Sequence, residues 1–252
     1  MKKHILLALT ALVLSAPTMS SAAPVVFQAS GDTPADIQES VDAFRAFLGP
    51  LNPNVAGSLP SGRREINWDG VPDAFSAPNN LPADFFNTRS PRGAVFFAHG
   101  STFQVSADDD NPTKTPILFG NLHPALPRFF TTFSPQRLFT ALDSNVTETL
   151  FFVPGSGSSA TVNGFGAVFT GVNRSDSTKI EFFGANGALL FTQNVLPQPT
   201  PRQGLSFLGV GFDAGERVFL VRIVSGNSIL RAPARDVVAM DDFIYGEPQE
   251  VP

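Results

Sequence analysis

The chain has 252 residues, a formal net charge of −5 and no cysteine. Weak acidity without long charge runs argues against nucleic acid and against an anionic membrane surface as partners. With no disulfide available, stability has to come from a large core or from bound ions.

The first stretch, "MKKHILLALTALVLSAPTMSSAAP", starts with Lys2 and Lys3, continues with an apolar run from Ile5 to Leu14, and closes on small residues. Ser20 and Ala22 occupy the −3 and −1 positions of a cleavage after Ala22, the build of a secretory signal peptide. The apolar run is shorter than the roughly 20 residues that a membrane-spanning helix needs. The expectation is a secreted protein, extracellular or periplasmic, with no transmembrane segment in the mature chain. Roughly 230 residues then remain, enough to bury about 70% of the unfolded surface in one core. The predicted division is a signal peptide over 1–22, a helix and linker over 23–60, a β-sandwich over 61–248 and a tail over 249–252.

In "GDTPADIQESVDAFRAFLGP", Asp32 or Thr33 can cap a helix that Pro34 opens and Gly49-Pro50 stops. Ile37, Val41, Phe44 and Leu48 recur at helical spacing, so one face is apolar and should dock on the outside of the β domain. A short strand is expected near Glu65–Trp68. From Ala94 onward ten segments read as strands: "AVFFAHG", "STFQVSA", "LFTAL", "ETLFFVPG", "GFGAVFTGV", "STKIEFFG", "GALLFTQNV", "LSFLGVGF", "RVFLVRIV" and "VVAMDDFIYG". The 25 Phe, 21 Gly and 22 Pro fit short strands between tight turns. No helix separates the strands and no repeat is visible, which predicts antiparallel sheets and no propeller. The predicted fold class is all-β: a two-sheet antiparallel sandwich of jelly-roll type with one N-terminal amphipathic helix. A closed barrel is the alternative.

At "GRREINWDGVPDAFSAPNNLPADFFNTRSPRG", "GFGAVFTGV", "LSFLGVGF" and "DVVAMDDFIYGEP" the chain resembles a group of uncharacterised secreted bacterial proteins of the PEP-CTERM-associated type. The resemblance covers most of residues 61–248. It implies secretion and brings no activity with it. The chain ends on "GEPQEVP", without the apolar sorting helix and basic tail of that signal, so a released protein is expected.

Asp241 and Asp242 interrupt the last predicted strand. Strict alternation puts Val238, Met240, Asp242 and Ile244 on one face and Val237, Ala239, Asp241, Phe243 and Tyr245 on the other. One carboxylate would then enter the core, where it has to be neutralised, paired or metal-bound. Calcium is the cation expected outside the cell. Glu65 and Asp69 of "REINWDG" would complete a metal site with Asp241 and Asp242. The competing reading pairs the inward Asp with Arg63, Arg64 or Arg235, or has it cap a turn. A second acidic stretch, "SADDDNP", lacks the Gly and distal Glu of an EF-hand and reads as a solvated turn.

Catalytic patterns are sparse. After signal removal only His99 and His123 remain, there is no thiol, and Gly155-Ser156-Gly157 lacks the helix of a nucleophile elbow. No catalytic residue is assigned. A carboxylate pair of the glycoside-hydrolase kind remains the alternative function. The favoured expectation is a non-catalytic protein that binds an extracellular glycan or matrix. Only Trp68 and Tyr245 are suited to a wet sugar platform, which argues against a broad aromatic platform and leaves a small polar pocket for soluble sugar.

Overall fold

The computed structural model describes residues 23–232 and 236–251. The predicted signal peptide lies outside the described residues. In chain order the elements are β1 (Val25–Gly31), α1 (Pro34–Leu48), β2 (Arg63–Ile66), α2 (Phe85–Thr88), β3 (Ala94–Phe97), β4 (Phe103–Val105), β5 (Phe139–Ala141) and β6 (Val146–Phe151). The second half contains β7 (Ala160–Thr161), β8 (Gly164–Thr170), β9 (Lys179–Phe183), β10 (Leu189–Asn194), β11 (Leu205–Gly211), β12 (Leu220–Val224), β13 (Ala239–Gly246) and β14 (Gln249–Glu250).

Two antiparallel sheets form the body. The first runs β1-β11-β8-β13-β5-β4, with β2 also paired to β13; the second runs β10-β9-β12-β6-β3. The pairs β9–β10, β8–β11, β6–β12 and β5–β13 nest inside one another along the chain and alternate between the sheets. That is one long antiparallel hairpin rolled up on itself, the winding of a jelly roll. Each sheet keeps its own edges, so the ladder does not close into a barrel. All ten expected strand segments contain a strand. The early strand is found at Arg63–Ile66, slightly before its expected place.

Two boundaries differ from expectation. The predicted linker contains β1, which pairs with β11 along its whole length, from Val25↔Gly211 to Gly31↔Leu205. The predicted tail contains β14, which pairs with β7. Both therefore belong to the folded unit. Among the described residues no helix is long and apolar enough to cross a membrane.

The main core lies between the sheets. Phe96, Phe139, Phe151, Phe165, Phe169, Phe182 and Phe243 are all buried there. In β9 and β12, Ile180, Phe182, Val221 and Ile223 are buried while their neighbours are partly exposed, as one-sided packing requires. Strands β8, β11 and β13 are buried at every residue, because their outer face is covered as well.

Helix α1 supplies much of that cover. Thr33 caps it: the Asp36 carboxylate accepts from the Thr33 amide and hydroxyl, both at 2.8 Å. Ile37, Val41, Phe44 and Leu48 are buried against Val168, Leu205, Phe207 and Ile244, which is the predicted docking. Further along the same face, Phe119, Leu126 and Phe130 from the long β4–β5 connection pack with Leu138, Val237 and Ala239.

Candidate functional site

The paired carboxylates do not divide between the two faces of β13. Met240 stands opposite Phe169 and Phe243 opposite Ala167, so Asp241 and Asp242 together oppose the single residue Val168. This is a β-bulge. The extra residue resets the alternation: Met240, Phe243 and Tyr245 all join the core between the sheets. The alternation expected from the sequence is corrected accordingly. Both aspartates are buried, at 0% and 3% exposure, and both engage the elements that cover the outer face.

Their partners come from two places. The Phe133 amide donates to Asp241 Oδ2 at 2.6 Å, and the Ser134 hydroxyl donates to Asp242 Oδ1 at 2.6 Å. From α1, Arg45 Nη2 lies 3.8 Å from Asp242 Oδ2. The same guanidinium grips Glu65 through two bonds, Nε–Oε1 at 3.0 Å and Nη2–Oε2 at 2.9 Å. Arg63 Nε adds a third at 2.6 Å. Strand β2 brings Glu65 here because it pairs with β13, with Ile244 opposite Glu65. Asp69 accepts from the Arg137 amide at 3.1 Å. Its charge acts on Asp241, and that of Glu65 acts on Asp242.

The four predicted ligands therefore share one neighbourhood, interleaved with Arg45, Arg63 and Ser134. Among the described residues no group of three or more His, Cys, Asp or Glu is arranged to hold a metal ion. Arg235 lies outside the described residues, and Arg64 is committed elsewhere, bonded to Glu247. Sequence periodicity points to neither Arg45 nor Ser134. Arg45 follows the buried Phe44 on α1, and Ser134 belongs to a connection without periodicity.

Burial pushes the Asp241 carboxyl well above the ordinary carboxylate range. The Asp242 charge and a hydrogen bond with Asp242 push the same way, against the Phe133 amide. Burial also raises Asp242, while its bonds to Ser134 and Asp241 and the Arg45 charge pull it back. Both carboxyls are displaced upward, Asp241 the further of the two, with burial as the leading cause. A folded-state pKa above the unfolded one means that stability is greatest below the unfolded value, near 3.8, and falls as pH rises toward the folded value. Asp241→Asn mimics the protonated acid. Its stability relative to wild type should therefore improve steadily as pH rises from about 4. Urea titrations across that range read the difference, and a pH-independent gap would mean that Asp241 is ionised in the fold.

The bulge also places the single tryptophan. Trp68 Nε1 donates to the Asp241 carbonyl at 2.8 Å, satisfying both groups in the interior. The indole stacks on Phe139 with centroids 4.2 Å apart and planes at 3°. Trp68 and Tyr245 are buried, at 1% and 0% exposure, so neither forms an open sugar platform.

One edge of Trp68 borders a cavity of about 340 Å³, near the low end of the roughly 300–1,000 Å³ typical of small-molecule sites. Phe75, Phe85 and Phe86 form apolar wall, and Asn67, Arg89, Ser90 and Arg92 supply polar groups. No acid or histidine lines it. Elsewhere, the Ser101 hydroxyl accepts from the Asp143 amide and donates to the Thr102 carbonyl. In "SADDDNP", Asn111 folds its own loop, accepting from the Thr115 amide at 2.8 Å, and Asp108 pairs with Arg137.

No family model matches the chain, and no curated protein matches it.

Proposed function

We propose that this is a secreted, non-catalytic β-sandwich protein that binds an extracellular glycan or matrix component. The observation that carries this reading is the cavity beside Trp68: it pairs aromatic wall with hydrogen-bond donors and contains no general acid or base. The carboxylates that a glycosidase would need are unsuited to that work. Asp241 and Asp242 are buried beneath covering segments, where no sugar reaches them, and accept hydrogen bonds from the Phe133 amide and the Ser134 hydroxyl. Secretion is supported by the three-part N-terminal pattern and by the resemblance at residues 61–248.

The same reading includes calcium as a stabiliser of the acidic neighbourhood. Glu65, Asp69, Asp241 and Asp242 converge on one region outside the sheet, and a cation there would offset the charge that burial makes costly at Asp241. A ligand that binds the folded state alone raises Tm by mass action. Calcium should therefore raise Tm in wild type and leave Asp242→Asn unmoved. An equal response in both proteins rules calcium out of this site.

A glycan array probed with the purified protein, with and without calcium, tests the binding role. Saturable retention without release of reducing sugar is expected. Turnover of any retained glycan would establish the hydrolase instead, and a blank array would remove glycans as the partner.

A further inference from the structure

The wall of the Trp68 cavity carries two cations without counter-charges. Arg89 and Arg92 form no ion pair among the described residues, in a chain whose net charge is −5. Asp73, close in sequence to the lining residue Phe75, is engaged by Arg137 at 2.7 Å. Each guanidinium is instead laid on a ring: Arg89 lies 4.8 Å from the Phe75 centroid and Arg92 lies 5.1 Å from that of Phe86. Stacking fixes the plane of a guanidinium and leaves its N–H edge free to donate.

The donors at that edge are underused. Arg92 gives Nη1 to the Ser90 hydroxyl, while its Nε is buried without a partner. Arg89 makes no side-chain hydrogen bond among the described residues, and neither does the exposed Asn67. The exposed Arg89 guanidinium is the donor that a ligand oxygen can reach without displacing protein atoms. The surroundings add a second requirement. Val71, Pro72, Phe75, Phe85 and Phe86 give an apolar wall on which the carbon face of a ring can pack beside the charge-assisted bond. The volume suits a small ligand of one or two rings.

We infer that this cavity binds a small organic carboxylate carried on a ring, with Arg89 and Arg92 holding the carboxylate and the phenylalanines packing on the ring. The inference rests on the reading of this cavity as the binding site and names the chemistry it accepts. A planar carboxylate matches the guanidinium fork, which a neutral hydroxyl group does not. An aryl acid and a sugar acid both meet this description, so benzoate and glucuronate serve as the probes.

The chain has one tryptophan, so its emission reports Trp68 alone. Titrations followed by Trp68 fluorescence and by calorimetry should show saturable binding of at least one acid, and the tighter of the two identifies the ring. Benzyl alcohol and glucose, the neutral counterparts, should bind at least about tenfold more weakly, the loss expected when a charged acceptor is removed. Arg89→Gln should lower affinity by a similar factor. Arg89 is exposed, so this substitution should leave Tm unchanged and keeps the test valid if Arg92→Gln fails to fold. The inference is overturned by Arg89→Gln binding like wild type, by inorganic phosphate binding as tightly as the acids, or by the absence of saturation with either acid. If the neutral compounds bind as well as the acids, the carboxylate inference falls while the binding site stands. If no probe binds and the glycan array is also blank, both fall.

Discussion

Glu247→Ala should cost about 3–5 kcal/mol, the loss typical of removing one partner from a buried ion pair. Arg64 and Glu247 are 0% and 1% exposed at the side chain. The Glu247 carboxylate accepts from Arg64 Nε at 2.6 Å and Nη2 at 2.7 Å, from Asn52 Nδ2 at 2.8 Å and from the Leu59 amide at 3.0 Å. The remaining guanidinium hydrogens reach carbonyls of Pro53, Val55, Gly57 and Pro91. Removing the carboxylate leaves a desolvated cation without its counter-charge, the Leu59 amide without its acceptor, and Asn52 Nδ2 with the Ser61 carbonyl alone. In a domain of this size the loss lowers Tm by on the order of 10 °C. Glu247→Gln restores the shape but not the charge and should fall between wild type and Glu247→Ala. Urea unfolding provides the measurement, and a change below about 1 kcal/mol would place the pair with ordinary surface bridges. The cluster ties residues 53–57 and Pro91 to the end of β13. Pro91 precedes Arg92, so the same substitution should also loosen the cavity wall.

Phe44→Ala should be comparably severe, at about 3–5 kcal/mol. Phe44 is fully buried, 5.4 Å from Phe27 and 5.9 Å from Phe207 by ring centroids. It lies in a trench cut by glycines. Gly209 of β11 stands opposite Gly166 of β8, and Gly211 stands opposite Gly164. A Cβ at Gly166 or Gly209 would approach the Phe44 ring to 2.8 Å, and one at Gly211 would meet the Phe47 ring at 2.1 Å. Gly209→Ala should therefore destabilise wild type yet be better tolerated in Phe44→Ala, where the ring is gone. Such coupling between contacting residues is what a double-mutant cycle reads. Strict additivity of the two losses would show that α1 does not sit in the trench.

Much of the fold was legible because it is written in neighbouring residues. The 3.6-residue spacing of Ile37, Val41, Phe44 and Leu48 determined α1 and its buried face, and period-2 runs such as "KIEFF" and "LVRIV" determined strands and their inner sides. The lack of helices between strands determined antiparallel sheets. The doublet Asp241-Asp242 marked the acidic neighbourhood, and "REINWDG" supplied its other acids.

What the tertiary structure alone decided depends on residues far apart in the chain. Strand β1 is an edge strand whose partner, β11, lies some 180 residues away, so no local pattern announces it. The glycines of "GFGAVF" and "FLGVGF" read as weak strand residues until register sets them opposite each other under α1. The bulge at Asp241-Asp242 is a one-residue mismatch between β13 and β8, visible only when the two strands are laid side by side. Arg45, Ser134 and the Phe133 amide meet the carboxylates through a helix and an aperiodic connection. Arg89 and Arg92 border a cavity with the rings of "VPDAF" and "ADFF". Periodicity encodes which side of an element is apolar; pairing, register and the covering of a sheet's second face arise from contacts between distant segments, which the order of residues along the chain does not display.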